Sequence, residues 1–313
     1  MTNHAPTLST LSPSDPEASQ RVTELVRQVT AADGVPPFSD QALVDWRAND
    51  RTMIAAYEHV GGPIVAAALI NAPHPPAPGE LDLTVAPEHR GAGIGSLLLA
   101  EVLDNHPGDL LTWAHGNGDA ARALAHKHGF VPSRTLLQLS APVPNDTTVP
   151  SIDGVTVRTF EPGRDEHEWV ALNARVFADH PEQGKLTVAD LLSRENESWF
   201  NAGDFLVLTD TSGSMIAYNW LKITADDEAA HGEVYAIGVA HEASGKGLGR
   251  LLMTAGMARL RTRNVTNVTL YVEGDNEPAL ALYRSTGFTV TTTSVQYQRN
   301  AERSRRTSQP SGQ

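Results

Sequence analysis

Ile237-Gly-Val-Ala-His-Glu-Ala-Ser244-Gly-Lys-Gly247-Leu-Gly249-Arg-Leu-Leu-Met253 reads as an apolar strand that runs through a glycine-rich loop into a helix. The same pattern stands earlier, in Leu83-Thr-Val-Ala-Pro-Glu-His-Arg90-Gly-Ala-Gly93-Ile-Gly95-Ser-Leu-Leu-Leu99. A second matched pair follows: Trp113-Ala-His-Gly-Asn-Gly-Asp-Ala-Ala-Arg-Ala-Leu-Ala125-His-Lys-His-Gly129-Phe130 beside Tyr271-Val-Glu-Gly-Asp-Asn-Glu-Pro-Ala-Leu-Ala-Leu-Tyr283-Arg-Ser-Thr-Gly287-Phe288. Gly249 lies 154 residues after Gly95 and Tyr283 lies 158 after Ala125, a difference that four residues of loop variation account for. Self-similarity at this distance makes the chain a duplicated domain.

The 313 residues suit two domains of that size. Each half reads as a strand, helices, several antiparallel strands, the glycine loop, a helix, a strand, a helix and a final strand. The expected class is α/β, built twice, each copy a mixed and mostly antiparallel sheet flanked by helices. Ser140-Ala-Pro-Val-Pro-Asn-Asp-Thr-Thr-Val-Pro-Ser151 carries the punctuation of a linker, placing domains at 1–148 and 149–300. Gly154–Phe160 alternates as the first strand of the second domain, and the β-branched run Thr289–Tyr297 reads as its last. Residues 1–20 and the tail 301–313 are expected to be disordered.

Composition narrows the classes. Hydrophobic residues make up 40% and charged residues 19%, an ordinary soluble balance. The net charge of −13 argues against a nucleic-acid partner. No signal peptide and no spanning run is visible, so a cytoplasmic protein without membrane contact is expected, and a monomer. The absence of cysteine excludes disulfides, thiolate metal sites and a cysteine nucleophile. Twelve scattered histidines show no metal-binding spacing, so no metal is expected.

A strand, an Arg/Gln-x-x-Gly-x-Gly loop and a helix starting at the last glycine form an anion site, because inward N–H groups and the helix dipole both favour negative charge. Residues 90–95 fit the pattern fully, and residues 244–249 have Ser244 in place of Arg or Gln. A nucleoside-triphosphate loop is excluded because Gly247, not a hydroxyl residue, follows Lys246. Neither loop has the spacing of a dinucleotide fold.

These loops, with the Asn276-to-Phe288 segment, resemble those of Gcn5-related N-acetyltransferase domains, and the resemblance covers roughly residues 20–298. It implies acetyl-CoA as co-substrate, its pyrophosphate on the loop. Acetyl transfer to an amine needs a proton acceptor for the amine and gains from a proton donor for the departing thiolate. Glu233 lies six residues before Val239, whereas six before the matching Val85 is Gly79, and Glu80 is displaced by one. A displacement of one turns a strand side chain to the other face. Tyr283 is matched by Ala125, which donates nothing. The second half is therefore expected to be catalytic and the first to be a non-catalytic domain with an acetyl-CoA loop. Pairing of Glu233 with Lys222, and a core role for Tyr283, are the plain structural alternatives.

The tandem arrangement, Phe177-Ala-Asp-His-Pro-Glu-Gln-Gly184, Asn219-Trp-Leu-Lys222, Gly232-Glu-Val-Tyr235 and Leu270-Tyr-Val-Glu-Gly-Asp-Asn276 are similar to the mycothiol synthase family. Its members acetylate the cysteinyl amine of cysteinyl-glucosaminyl-inositol (Cys-GlcN-Ins) by direct transfer. The resemblance implies Glu233 as base and Tyr283 as acid, with Asp40, Glu182, Lys222, Glu233 and Tyr271 on the acceptor. It implies Ile237, Gly238, Val239, Ser244, Gly245, Lys246, Gly247, Leu248, Gly249 and Arg250 around acetyl-CoA, with Asn276, Glu277, Pro278, Ala279, Leu280 and Ala281. In the first half it implies Leu83, Thr84, Val85, Gly91, Ala92, Gly93, Ile94, Gly95 and Ser96. Asp40 departs from the usual Glu, and Ser244-Gly-Lys246 from the usual Gln-Arg-Arg, a change expected to weaken coenzyme binding. A tandem acetyltransferase for another small amine or a peptide N-terminus, and an acetyl-CoA-binding regulatory module, are the other readings.

Overall fold

The computed structural model describes residues 6–72, 77–178, 183–225 and 229–301, with Asp40 by its backbone alone. They fall into two α/β units, residues 1–135 with 293–313 and residues 136–292.

The first unit runs β1 (Thr7–Leu11), α1 (Pro16–Asp33), α2 (Asp40–Arg47), β2 (Thr52–Tyr57), β3 (Ile64–Asn71), β4 (Gly79–Val85), α3 (Ile94–Asn105), β5 (Leu110–Ala114), α4 (Asp119–Lys127) and the start of β6 (Val131–Pro142). Strands β1 to β4 pair antiparallel in chain order, and β5 joins β4 in parallel. β3 is central and buried on both faces, which explains its unbroken apolar run Ile64–Ile70.

The second unit completes β6 and continues through β7 (Thr156–Thr159), α5 (Glu166–Val176), α6 (Val188–Glu195), β8 (Phe205–Thr209), β9 (Met215–Ala225), β10 (Ala230–Val239), α7 (Leu248–Thr262), β11 (Asn267–Glu273), α8 (Glu277–Ser285) and β12 (Thr289–Arg299). One face of its sheet packs Phe205, Tyr218 and Trp220 against Trp169 of α5, and the other packs Val234 and Leu270 with Met253 and Met257 of α7 and Tyr283 of α8.

Three expectations change. Residues 6–20 are ordered: Thr7–Leu11 pairs with Tyr57–Met53, and Asp15 caps α1 by accepting from the Glu17 N–H; residues 1–5 lie outside the described residues. The division near 148 moves, because strands belong where they pair. Leu136–Pro142 of β6 pairs with Glu273–Asn267 of the second unit, and Val295–Arg299 of β12 pairs with Ala114–Leu110 of the first. The last strand of each repeat therefore starts in its own unit and ends in the other. Both loop helices also start one residue early, at Ile94 and Leu248, with the middle glycines Gly93 and Gly247 as N-caps. Residues 302–313 of the tail lie outside the described residues. Among the described residues no helix is long and apolar enough to cross a membrane, and no cluster of three or more His, Asp or Glu could hold a metal.

Candidate active site

The parallel pairing of β10 with β11 covers only Gly232–Val234 against Val268–Leu270. Beyond it, β10 continues to Val239 paired only with β9 on its other side, Ile237 opposite Asn219 and Gly238 opposite Tyr218. One edge of β10 is thus open where it leads into the loop before α7. Gly238 sits at a tight point, since a Cβ there would lie 2.8 Å from the Tyr218 ring and 2.9 Å from Val176.

At the mouth of this opening stands Glu233, directly across the ladder from Lys222. Among the described residues its carboxylate makes no hydrogen bond and no ion pair. Burial pushes its pKa above the ordinary glutamate value, with the Lys222 charge pulling the other way. Lys222 instead rests its ammonium 5.2 Å over the Trp199 ring. The direct Glu233–Lys222 ion pair is absent.

Tyr283, on α8, packs its ring with Phe288 at 5.9 Å inside the α7-side core and is 6% exposed. Burial pushes its phenol up to about 12. Its hydroxyl has no hydrogen-bond partner among the described residues and is not one of the sealed polar atoms, unlike the indole nitrogens of Trp169 and Trp220. Tyr271, on β11, is 52% exposed and accepts a hydrogen bond from Gln138 Nε2 at 3.0 Å. Burial and the nearby Glu233 charge raise its phenol. Gln138, on β6, was not singled out in the sequence because its strand belongs by count to the first repeat. Asp40 opens α2 in the first unit with its side chain outside the description, and Glu182 lies outside the described residues.

The first unit corrects the reading of Glu80. The ladder between β9 and β10 shifts register between Val234 and Ala236, so Tyr235 is an extra residue in β10. β3 and β4 pair without interruption from Ala66–Val85 to Asn71–Glu80. In the parallel pairings Glu80 faces Leu111 as Glu233 faces Thr269, one residue after the matched glycines Gly79 and Gly232. Glu80 is the structural counterpart of Glu233, on the same face, and counting back from the loop missed this because the bulge adds a residue. What differs is its surroundings. Arg51, its side chain 11% exposed, holds Glu80 at 2.6 Å, with Asp45 at 3.3 Å and Asp82 at 3.5 Å. Asp82 is raised to about 6 by burial, with Arg51 opposing and Glu80 adding to the rise. Ala125 is buried where the second unit has Tyr283. The first unit thus has a carboxylate at the matching position, ion-paired with Arg51, and alanine in place of the tyrosine. Glu80→Gln should therefore leave acetyl transfer within about twofold, the range of substitutions away from the chemistry. A parallel kcat measurement beside wild type checks this, and a large loss would move the chemistry to the first unit.

Both glycine loops have the geometry of an anion cradle. Gly93 (φ 82) and Gly247 (φ 78) start their helices without a side-chain cap, leaving first-turn N–H groups for a ligand. A Cβ on Gly247 would meet nothing within 4 Å, so the surface there is open to a close approach. Arg90 braces the first loop: its Nε donates to the Val85 carbonyl at 3.0 Å, and its Nη1 and Nη2 bind Asp33 at 2.9 and 2.7 Å. Ser244 makes one longer bond, to the Ala240 carbonyl at 3.3 Å. The guanidinium at this position ties the loop to the fold, so its loss in the second unit loosens a brace. Arg250 reaches Ser285 at 3.2 Å, Lys246 is exposed, and Asn276 caps α8 by accepting from the Ala279 N–H at 3.2 Å. In the first unit Lys127 Nζ donates to Ser96 Oγ at 2.6 Å, and His128 lies 2.8 Å from the same oxygen. Neither Lys127 nor His128 was expected at that loop.

Family models agree with this division. The acetyltransferase (GNAT) family model matches residues 169–288, and an acetyltransferase (GNAT) domain model matches residues 49–132. A mycothiol acetyltransferase of Thermobispora bispora is 42% identical over 294 residues, covering 92% of this chain and 97% of its own. The chain belongs to the mycothiol acetyltransferase family. A second relative of that name, from Thermomonospora curvata, is 42% identical over 287 residues, covering 91% of this chain and 94% of its own. The fold of this family is shared with more distant solved structures. A GCN5-related N-acetyltransferase from Sphaerobacter thermophilus superposes with a TM-score of 0.72 at 21% identity, covering 94% of this chain and 96% of its own. A tandem GNAT protein from the clavulanic acid biosynthesis pathway gives 0.67 at 19% identity, covering 98% and 100%. As a member of the mycothiol acetyltransferase family, the protein is an acetyl-CoA-dependent N-acetyltransferase acting on a small molecule.

Proposed function

We propose that the second unit transfers the acetyl group of acetyl-CoA to the cysteinyl amine of Cys-GlcN-Ins, giving mycothiol and CoA by direct transfer in a ternary complex. The observation that carries this reading is the unpaired Glu233 carboxylate beside the open edge of β10, with Tyr283 carrying a free hydroxyl on α8. Glu233 takes the proton of the acceptor amine. Its raised pKa brings it nearer to that of the amine it must deprotonate, which favours proton transfer. Tyr283 gives its proton to the departing sulfur, and a phenol held at about 12 stays protonated until that moment. Backbone N–H groups on the open edge of β10 are the donors available to a developing oxyanion. Lys222 and Tyr271 flank Glu233 and suit a hydroxyl-rich acceptor. The coenzyme residues are Ile237 to Val239, the loop from Ser244 to Arg250 and the first turn of α8 from Asn276 to Ala281. The first unit serves as a non-catalytic domain whose own loop, with Leu83 to Val85 and Gly91 to Ser96, takes a second acetyl-CoA. The protein works as a cytoplasmic monomer.

Purified protein given acetyl-CoA and Cys-GlcN-Ins should yield a product one acetyl group heavier by mass spectrometry. Faster turnover of an aminoglycoside or a peptide N-terminus in the same assay would overturn the acceptor assignment.

The pH dependence has a fixed sign. Glu233 acts as the carboxylate, so the chemical step slows as pH falls through its raised pKa, at a pH above the ordinary glutamate range. Tyr283 acts as the neutral phenol, so its ionisation costs nothing until about pH 12. Single-turnover rates against pH should show the acid limb, and Glu233→Gln should remove it along with most of the rate.

A further inference from the structure

Glu233 and Lys222 are opposite charges at directly facing ladder positions, a geometry in which they normally attract and pair. The structure nevertheless holds them apart, and what holds Lys222 is aromatic. Its ammonium lies over Trp199, a half-buried ring in the segment after α6. Trp199 is itself fixed on two sides, by Tyr235 at 5.2 Å and Trp220 at 5.7 Å. Tyr235 is the bulge residue of β10, and its hydroxyl accepts from Arg194 Nε of α6 at 3.0 Å. A contiguous set of contacts thus runs from α6 through the bulge to the lysine beside the base.

We infer that Trp199 is a positioning residue that keeps the catalytic base unpaired by holding Lys222 in a cation–π contact. Without the ring, Lys222 is free to turn to the carboxylate directly across the ladder, on which its charge already acts. An ion pair there would quench Glu233 twice, lowering its basicity and occupying the oxygens that must take the amine proton. The bulge gives this device a structural reason. It adds Tyr235 on the face that carries Glu233, and the first unit, with an uninterrupted β3–β4 ladder, has no such residue and has its carboxylate paired. Among the described residues, the charge of Glu233 also acts on Tyr271 of β11; His231 precedes Glu233 by two residues on β10, and Arg194 is held on Tyr235 and the Asp190 carbonyl.

The inference rests on Glu233 being the base, and the test separates the two. Single-turnover rates are followed against pH for wild type, Trp199→Leu, Trp199→Phe, Lys222→Met, the Trp199→Leu/Lys222→Met pair and Glu233→Gln. The acceptor amine titrates identically in all of them, so differences belong to the protein. Trp199→Leu should slow the step about tenfold and move the acid limb down by about one pH unit, as expected for a carboxylate that gains a cation. Trp199→Phe, which keeps an aromatic face, should stay near wild type. With Lys222→Met already present, adding Trp199→Leu should change the limb no further. Circular dichroism and thermal unfolding confirm that each variant is folded. An unmoved or upward-moving limb in folded Trp199→Leu overturns the inference, as does an equal downward shift in the Lys222→Met background. Persistence of the limb in Glu233→Gln overturns the assignment of the base instead.

Discussion

Glu233→Ala/Tyr283→Phe should leave a folded protein whose acetyl transfer is slower by about 10³-fold or more. General acid–base groups typically contribute about 10²- to 10⁴-fold, and two groups serving one transfer do not add independently. Each single variant should fall short of the pair, because bound reactants still gain from proximity and from backbone donors on β10. Tyr283→Phe keeps the ring in the α7-side core, so it removes the hydroxyl and little packing. Mass-spectrometric product formation is the right measure, since the acceptor carries its own thiol and masks released CoA in thiol assays. Full activity in the double variant would dismiss both residues and return Glu233 and Tyr283 to structural roles.

The second large effect is on stability. Trp220 is fully buried, stacked on Phe205 at 4.5 Å, with edge contacts to Trp169 at 5.6 Å and Tyr235 at 5.1 Å. Trp220→Ala should cost about 3–5 kcal/mol, as large aromatic truncations in cores do. Against a typical domain stability of about 5–15 kcal/mol, that is enough to unfold part of the population at ambient temperature. Trp220→Phe should cost less, because it refills most of the volume and removes an indole N–H that has no partner. Urea unfolding of the full-length protein followed by circular dichroism distinguishes them; equal midpoints for Ala and Phe would mean the site collapses around the cavity.

The duplicated loops were legible because glycine is required where φ is positive and helices start without caps, and those constraints sit in a few adjacent residues. Tyr283 and Ala125 can be compared directly, because the segments 271–288 and 113–130 align without a gap. Glu80 was misread because a bulge is a property of the ladder: Tyr235 looks like any strand residue until its partner strand is known. The neutralising Arg51 was missed because it meets Glu80 across 29 residues of chain. Thr7–Leu11 reads as a disordered end because Thr-Leu-Ser-Thr-Leu has leucines three apart and no period-2 alternation, and its strand identity comes from β2. The destinations of β6 and β12 were hidden because β-branched composition specifies a strand without naming its neighbour.

The crossing of those two strands constrains how the protein can come into being. Residues 293–299 leave the ribosome about 180 residues after β5, yet they complete the sheet of the first unit by pairing with it. The first unit therefore waits, with an open strand edge on β5, until the second unit has been synthesised through β12. A gene cut near residue 148 would yield two incomplete sheets, each lacking a strand that the other half encodes. Duplication here has produced two units that mature together and cannot be inherited apart.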